Sequence, residues 1–254
     1  MIKQYLIILL FLITVFVARA QDSLVSKNKW NFLAEPYLMF PHMKGEIGAG
    51  DKVTVPVDVN TGEIFGKLKM GAMLYFEAQT SRWAITSDFL YMKLAQDVTP
   101  SKLLNSGNIS ASQLAWEPAV LYRVVSFLEI GAGGRLNSLS TDIDVRRNLI
   151  PVGTEQVTES VSKTWFDPII ITRLSADIKD KWLFQFRGDL GGFGLGSDFC
   201  WQLQANAGYR FSNLFQLTAG YRYISVNYDK GEGADRFIYN IDTSGPVVRL
   251  GFNF

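Results

Sequence analysis

The sequence predicts an all-β fold, a single antiparallel transmembrane β-barrel of about ten strands, with eight or twelve strands as alternatives. Three observations favour it: a secretory signal at the N-terminus, long segments of alternating apolar and polar residues, and connections that are alternately long and short. After the first twenty residues, no segment has the ~20 consecutive apolar residues that a transmembrane helix needs. Apolar residues recur instead at every second position, as they do in strands.

The first twenty residues predict export. Lys3 gives a basic start, Tyr5 to Val17 is almost wholly apolar, and Ala18-Arg19-Ala20 supplies a cleavage site. This is the layout of a secretory signal peptide, and an uncleaved membrane anchor, the alternative, needs a longer apolar run. We therefore expect a signal peptide over 1–20 that is cleaved after Ala20, a short periplasmic segment over 21–29 and a barrel over 30–254.

Charge and rare residues limit the functional classes. Cleavage removes Lys3 and Arg19 and leaves 23 basic and 24 acidic residues, a net charge of −1. This balance gives no reason to expect nucleic acid as a partner. Cys200 is the only cysteine and His42 the only histidine, so no intrachain disulfide can form and we expect neither a metal site nor a cofactor.

Period-two alternation divides the chain into long strands. Ten are predicted, at 30–40, 64–79, 82–94, 111–124, 127–138, 165–177, 182–190, 197–210, 215–227 and 244–254. Most reach the ~9–11 residues that a tilted strand needs to cross a bilayer. The connections 41–63, 95–110, 139–164 and 228–243 are long and the others short. Long extracellular loops alternating with short periplasmic turns are typical of outer-membrane barrels.

Aromatic residues flank the apolar faces of these strands. The periplasmic ends carry Trp83, Trp182, Tyr122, Tyr209 and Phe215, and the outer ends carry Tyr91, Trp116, Tyr221 and Tyr223. Two such girdles favour a barrel in lipid over a soluble sandwich. Pro36, Pro118 and Pro168 fit poorly, because proline removes a ladder hydrogen bond, and we expect bulges near the barrel rim to accommodate them.

The last strand carries a separate signal. Val248, Leu250, Phe252 and Phe254 alternate with polar or small residues, and the chain stops on Phe254. This pattern resembles the C-terminal signal by which the barrel assembly machinery recognises its clients. The resemblance implies Phe252 and Phe254 as the assembly signal, with this machinery and outer-membrane lipid as partners.

The inward parity of the strands is rich in charge. The predicted lumen-lining acids are Glu35, Glu77, Asp88, Glu117, Glu129, Asp167, Asp189 and Asp198; the predicted lumen-lining bases are Lys67, Lys69, Arg82, Arg123, Arg135, Arg173, Arg187, Arg210, Arg222 and Arg249. A ten-stranded barrel has little more space than side chains fill, so these charges are expected to pair and plug the lumen. A narrow water-filled path is the alternative, and Gly131 and Gly133 favour it by leaving room.

One stretch resembles a known group. Residues 189–202 read Asp-Leu-Gly-Gly-Phe-Gly-Leu-Gly-Ser-Asp-Phe-Cys-Trp-Gln; Trp165-Phe166-Asp167-Pro168 precedes them, and Gly208-Tyr209-Arg210 and Gly220-Tyr221-Arg222 follow. This is similar to uncharacterised Gram-negative outer-membrane barrels that share a D-x-G-G-F-G-x-G-S-x-x-x-W-Q stretch and G-Y-R repeats. The likeness covers about the last ninety residues, and the wider likeness is to small OmpA-type and OmpW-type barrels. It implies the fold and no particular activity.

No catalytic constellation is complete. The glycine run 191–196 is followed by a strand and not by the helix of a dinucleotide site, which favours a tight glycine hairpin. His42 falls in a long loop, and no motif supplies its partners. We expect a non-enzymatic envelope protein with a structural or loop-mediated binding role. A narrow channel for ions or small polar solutes is the first alternative, and an outer-membrane hydrolase or lipid-modifying enzyme the second.

Overall fold

The computed structural model describes residues 29–50, 53–98, 104–148 and 154–254. The predicted signal peptide and nearly all of the predicted segment 21–29 lie outside these residues. The strands are β1 (Asn31–Met39), β2 (His42–Ala49), β3 (Val53–Val59), β4 (Leu68–Gln79), β5 (Trp83–Asp97), β6 (Leu104–Val125), β7 (Leu128–Asn148), β8 (Thr154–Ile178), β9 (Trp182–Gly191), β10 (Phe199–Arg210), β11 (Phe215–Lys230) and β12 (Phe237–Asn253). A helix, α1 (Thr61–Lys67), precedes β4.

Ten of the twelve described strands form a closed antiparallel barrel. Strand β1 pairs with β4, and β4 to β12 follow in chain order. Closure comes from the pairing of β1 with β12, where Leu33 lies opposite Asn253 and Met39 opposite Val247. Both ends of the barrel chain and the turns 80–82, 126–127, 179–181 and 211–214 lie at one end, which is therefore the periplasmic end. The short 192–198 connection lies at the other end. The predicted all-β barrel of about ten strands is confirmed.

On β5 to β8, the outward-facing residues change from apolar to polar along the strands, and this change marks the outer edge of the membrane. One row across the four strands is apolar: Phe89, Trp116, Leu136 and Phe166. Four residues further out, the corresponding row is Lys93, Ser112, Ser140 and Ser162. At the periplasmic end, Trp83 packs on Tyr122 and Trp182 on Tyr209, with ring centroids 4.9 and 5.1 Å apart. Apolar bands bounded by aromatic residues are typical of lipid-exposed barrels.

The long connections predicted from the sequence are mostly strand. Strand β7 continues to Asn148, and β8 begins at Thr154. The predicted loop 139–164 is therefore wrong except near its tip. Likewise β5, β6, β11 and β12 extend into the predicted loops 95–110 and 228–243. The reason is that the backbone pairing continues beyond the membrane, where the outward residues are polar and a lipid-facing apolar side no longer marks the strands.

The predicted loop 41–63 is also wrong. Strands β2 and β3 form a hairpin in which β2 continues along β12, from His42 opposite Ser244 to Ala49 opposite Phe237. Helix α1 follows and includes residues 64–67, which had been predicted as strand. Its capping box explains this start: the Asn60 side chain accepts from the Glu63 backbone N–H, and the Glu63 side chain accepts from that of Asn60.

The expected proline bulges are absent from the described strands. Strand pairing is interrupted at Pro36 and Pro118 and resumes in the same register, and at Pro168 the pairing with β7 is continuous. The barrel accommodates the lost N–H groups locally, without inserting an extra residue. At Pro168, the carbonyl oxygen still accepts a hydrogen bond from Gly192 on the β9 side.

Candidate functional site

The centre of the lumen holds two buried arginines and two buried acids. Arg135 donates from Nε and Nη2 to Glu117 Oε2, at 2.8 and 2.7 Å, and from Nη2 to Asp189 Oδ1 at 2.8 Å. Arg187 donates to the other oxygen of Glu117 and lies 3.5 Å from Asp189 Oδ2. Each carboxylate therefore faces both guanidinium groups, an arrangement that offsets the large cost of placing charge in a dry interior.

A second group of charges lies on the periplasmic side of the first. Arg173 Nη1 and Nη2 contact the two oxygens of Glu77 at 2.6 and 2.9 Å, and its Nε lies 2.5 Å from Glu129 Oε2. The Tyr75 hydroxyl donates to Glu77 at 2.5 Å. Arg123 contacts Glu129 at 2.7 Å and is the more exposed of the two arginines. Strands β4, β6, β7 and β8 are thus joined through the lumen.

A third group joins β11 to strands on the opposite wall. Arg222 Nη1 contacts Asp88 Oδ2 at 3.0 Å, and its Nε donates to Gln202 Oε1 at 2.8 Å. The Tyr37 hydroxyl donates to the second oxygen of Asp88 at 2.7 Å. Both Asp88 oxygens are therefore paired by groups from different strands.

Arg249 on β12 has a different environment. Its guanidinium lies 5.0 Å from the ring centroids of both Tyr37 and Tyr75 and contacts Glu35 Oε2 at 3.2 Å. Gln216 donates to the other oxygen of Glu35 at 3.1 Å. Cation–π contact with two rings supplements a single, rather long ion pair.

Asp167 is completely buried and accepts only from neutral donors. Ser197 donates to its Oδ1 from both backbone N–H and hydroxyl, at 2.6 and 2.7 Å. Trp165 Nε1 and Asn137 Nδ2 donate to Oδ2, at 3.0 and 3.3 Å. The 192–198 connection between β9 and β10 is thereby held against β8. Gly192 and Gly194 there have φ of 84° and 78°, as a tight turn requires.

Aromatic rings close the lumen on the extracellular side of the central charges. Trp165 on β8 lies with its ring centroid 4.5 Å from that of Tyr228 and 5.6 Å from that of Tyr239. Phe237 packs edge-on against Tyr228 at 6.1 Å. All four side chains are buried. We call Trp165, Tyr228, Phe237 and Tyr239 the aromatic cap; it joins β8 to β11 and β12 across the interior.

Two cavities lie on either side of the central charges. The periplasmic one is about 370 Å³, and its lining includes Gln79, Arg123, Asp177, Arg210 and Asn253. The other, about 60 Å³, lies beneath the aromatic cap with the central charges at its wall. The two cavities share no lining residue. The paired charges therefore lie between the two cavities, and the cap lies outside the smaller one.

The predicted lumen-lining residues that do face the lumen fall into two sets. The larger set is buried in the interior: Glu35, Glu77, Asp88, Glu117, Glu129, Arg135, Asp167, Arg173, Arg187, Asp189, Arg222 and Arg249. Arg123 and Arg210 line the periplasmic cavity, where Arg210 contacts Asp177 at 3.2 Å. Twelve of the side chains are thus deep in the lumen, and two are at its periplasmic mouth.

Arg82, Asp198, Lys67 and Lys69 do not line the lumen. Arg82 lies in the turn before β5 and donates to the outward Tyr122 hydroxyl at 3.3 Å, because strand parity does not apply within a turn. Asp198 precedes β10 on the outer rim, where its exposed carboxylate lies 2.5 Å from Lys230 Nζ. Lys67 ends helix α1, and the exposed Lys69 falls at a register shift in β4.

Gly131 and Gly133 leave no open path. A Cβ at either position would collide with backbone atoms of β6: Val120 and Leu121 at Gly131, Pro118 and Ala119 at Gly133. These glycines therefore permit close approach of the strands, and the lumen beside them is filled by the buried Leu121 and Ala119. The room inferred from the sequence is occupied.

His42 pairs with an acid on the outside of the barrel. Its Nε2 lies 2.8 Å from Asp58 Oδ1, and both side chains are about half or more exposed. The hydrogen bond from His42 lowers the pKa of the Asp58 carboxyl below its ordinary value. The hydroxyl of Thr61 donates elsewhere, to the Pro41 carbonyl at 3.0 Å. The pair is a surface contact at the start of the β2–β3 hairpin.

Sequence reasoning missed the neutral members of the site. Tyr37 and Tyr75 share inward parity with Glu35 and Glu77, two residues away on the same strands, and Trp165 shares it with Asp167. An inward aromatic residue beside an inward acid was the available signal. Among the described residues no helix is long and apolar enough to cross a membrane, and no group of three or more His, Cys, Asp and Glu side chains could hold a metal ion.

Comparison with known proteins supports the fold. No protein-family model and no curated protein matches the sequence. Among solved structures, the outer membrane protease OmpT from Escherichia coli is similar with a TM-score of 0.53 at 8% identity, covering 92% of this chain and 99% of that one. The attachment invasion locus protein Ail of Yersinia pestis has a TM-score of 0.34 at 12% identity, covering 90% of this chain and 100% of that one. The closed barrel and its lipid-facing bands define this chain as an outer-membrane β-barrel protein.

Proposed function

We propose that this protein is a non-conducting, non-enzymatic barrel of the outer membrane, whose interior is structural and whose extracellular strands serve a binding role. The observation that carries the proposal is the double closure of the lumen: twelve buried charged residues are held by ion pairs or hydrogen bonds, and the aromatic cap lies outside them. A water-filled path would have to break several of these contacts, each costly to lose in a dry interior.

The alternative of a narrow channel has less support. The periplasmic cavity of about 370 Å³ ends against Glu77 and Glu129, both of which pair with Arg173. The alternative of an enzyme rests on His42, whose partner Asp58 faces solvent with it. A functional triad needs a nucleophile oriented by the base, and the nearby Thr61 hydroxyl is engaged with a carbonyl.

Single-channel recording tests the proposal. The refolded mature protein is inserted in a planar bilayer beside the Arg123→Ala and Arg173→Ala variants, with folding checked by heat-modifiable gel mobility. We expect the folded wild-type barrel to show no discrete conductance steps. Reproducible steps that change in size when Arg123 or Arg173 is replaced would make the lumen a channel and overturn the proposal.

A further inference from the structure

We propose that the outer half of β8 is a docking edge for an extended peptide segment of an extracellular partner. Strand β8 is 25 residues long, but β9 pairs with it only from Ile169 to Ile178. From Thr154 to Phe166, the only described strand that pairs with β8 is β7, on its other side. As far as the described residues show, one edge of β8 is therefore open along the stretch that stands outside the membrane.

The backbone groups on this edge can be identified. The Pro168 carbonyl points to the β9 side, since it accepts from Gly192 N at 3.1 Å. The N–H and C=O groups of successive residues point to alternate sides of a strand. Because the β7–β8 register is unbroken from Asn148 to Leu128, this alternation holds along the paired stretch of β8. Thr158, Ser160 and Ser162 therefore direct their N–H and C=O groups to the open side. Such a row of donors and acceptors is complementary to another strand.

This edge lacks most of the usual protection. Natural proteins blunt exposed edges with prolines, bulges, charges or short strands. Between Thr154 and Phe166, β8 has no proline and no register shift, and its charged residues are Glu155, Glu159 and Lys163. A long and regular edge that is kept on a cell surface favours strand addition as its purpose.

Two strand positions beside this edge are not continued outward by the described strands. Strands β9 and β10 stop at Gly191 and Phe199, while β11 continues to Lys230. Above the 192–198 connection, β8 and β11 are therefore separated by two strand positions. Strands lie ~4.8 Å apart, so one extended segment fits beside β8, and a hairpin would fill the gap.

The faces of β8 specify the segment. Val157 and Val161 share the inward face with Ile143 and Val145 of β7, whereas Thr158, Ser160 and Ser162 face outward with hydroxyl groups. Glu159 lies between the two valines on the inward face. The matching segment alternates apolar residues with small polar ones and carries a basic residue opposite Glu159. The proposed occupant of the edge is thus a peptide strand. This inference rests on the binding role proposed above and specifies the kind of partner.

Hydrogen exchange on the full mature protein in lipid nanodiscs tests the inference. The probe is a ten-residue synthetic peptide that alternates threonine with valine and has one central lysine. Two isomers, N-methylated on the threonines or on the other residues, block opposite edges of the probe. We expect amides of Thr158, Ser160 and Ser162 to exchange rapidly alone and at least about tenfold more slowly with the probe. Only one N-methyl isomer should give this protection.

A variant pair isolates the edge in β8 itself. Ser160→Pro removes an N–H on the open side and leaves the hydrogen bonds to β7, whereas Ser160→Ala keeps every backbone group. We expect the probe to lose its protection of the β8 amides in Ser160→Pro and to keep it in Ser160→Ala. Both variants should fold, and in both the Glu159 and Val161 amides, which face β7, should exchange slowly.

Equal binding of both N-methyl isomers, equal binding of both variants, or no protection at millimolar probe overturns the inference. Protection that appears without the probe and rises with protein concentration would assign the edge to a second copy instead. None of these outcomes bears on conductance, so the closed lumen is tested separately.

Discussion

Arg173 and Glu77 form a bidentate ion pair across the lumen, with Nη1–Oε2 and Nη2–Oε1 distances of 2.6 and 2.9 Å. Their strands, β8 and β4, are separated around the barrel by β5, β6 and β7. The pair therefore connects different parts of the wall through the interior. Parallel bonds from a planar guanidinium to a carboxylate also fix the orientation of both side chains.

Replacing Arg173 should strongly destabilise the barrel. Arg173→Ala leaves Glu77 and Glu129 without their shared partner in a buried site, which typically costs about 3–5 kcal/mol. Urea unfolding in lipid vesicles, followed by tryptophan fluorescence, measures the change in the free energy of unfolding. The control is Arg82→Ala, in the periplasmic turn, for which we expect a change within about 0.5 kcal/mol. Equal effects of the two variants would show that the lumen pair contributes no special stability.

Removing both partners should be milder than removing one. In the double variant Arg173→Met with Glu77→Gln, no unpaired charge remains at the former pair, and apolar volume is largely kept. We expect it to be more stable than Arg173→Met alone by about 1–3 kcal/mol, because the single variant leaves the buried Glu77 carboxylate without its guanidinium partner. The same urea experiment measures it. A double variant that is no more stable than Arg173→Met alone would mean that the cost of that single variant does not come from an unpaired Glu77.

Asp167 should hold the 192–198 connection in place. Asp167→Asn replaces the carboxylate that accepts from the Ser197 N–H and hydroxyl, at 2.6 and 2.7 Å, with a neutral amide. Losing these charge-assisted hydrogen bonds should lower the free energy of unfolding by about 1.5–3 kcal/mol. We also expect faster protease cleavage of this connection from outside the cell. Asp198→Asn is the matched control, because Asp198 pairs with Lys230 at an exposed site worth about 1 kcal/mol or less. Cleavage at the wild-type rate in Asp167→Asn would contradict this assignment.

Phe254 should matter for assembly and closure of the barrel. Phe254 exchanges two backbone hydrogen bonds with Phe32, each 2.9 Å, and their rings stack at 5.7 Å. We expect Phe254→Ala to lower the fraction of protein assembled by the barrel machinery in cells, read from heat-modifiable mobility. Leu250→Ala, a lipid-facing change in the same strand, is the control. An unchanged assembled fraction in Phe254→Ala would remove the C-terminal residue as a signal.

Strand parity explains why much of the lumen could be predicted. Glu77, Glu117 and Arg173 were assigned inward from alternation alone, because a barrel wall has only two faces. Their pairing could not be predicted in the same way. Arg173 contacts Glu77 from a strand four positions around the barrel, and this depends on curvature and side-chain reach, which period two does not contain.

The extracellular strands could not be predicted by the same reasoning. In β7, Ile143 and Val145 face inward while Asp142 and Asp144 face outward, so the alternation persists but the outward face is no longer apolar. Lipid-facing apolar residues, which mark a membrane strand in the sequence, end where the lipid ends. The hairpin β2–β3 was missed for a related reason, since Lys44 and Glu46 on its outer face look like loop residues.

The most direct test of the closed lumen uses Cys200, the sole cysteine. It lies on the inner face of β10, is fully buried, and its sulfur is 3.6 Å from Arg135 Nη1 among the central charges. The measurement is modification of Cys200 by a small cationic methanethiosulfonate reagent in the folded, bilayer-inserted protein, added to either side. The account predicts no modification until the barrel is unfolded in denaturant, then one reagent per chain. Rapid modification of the folded wild-type barrel would show a water-filled path to its centre and contradict the account.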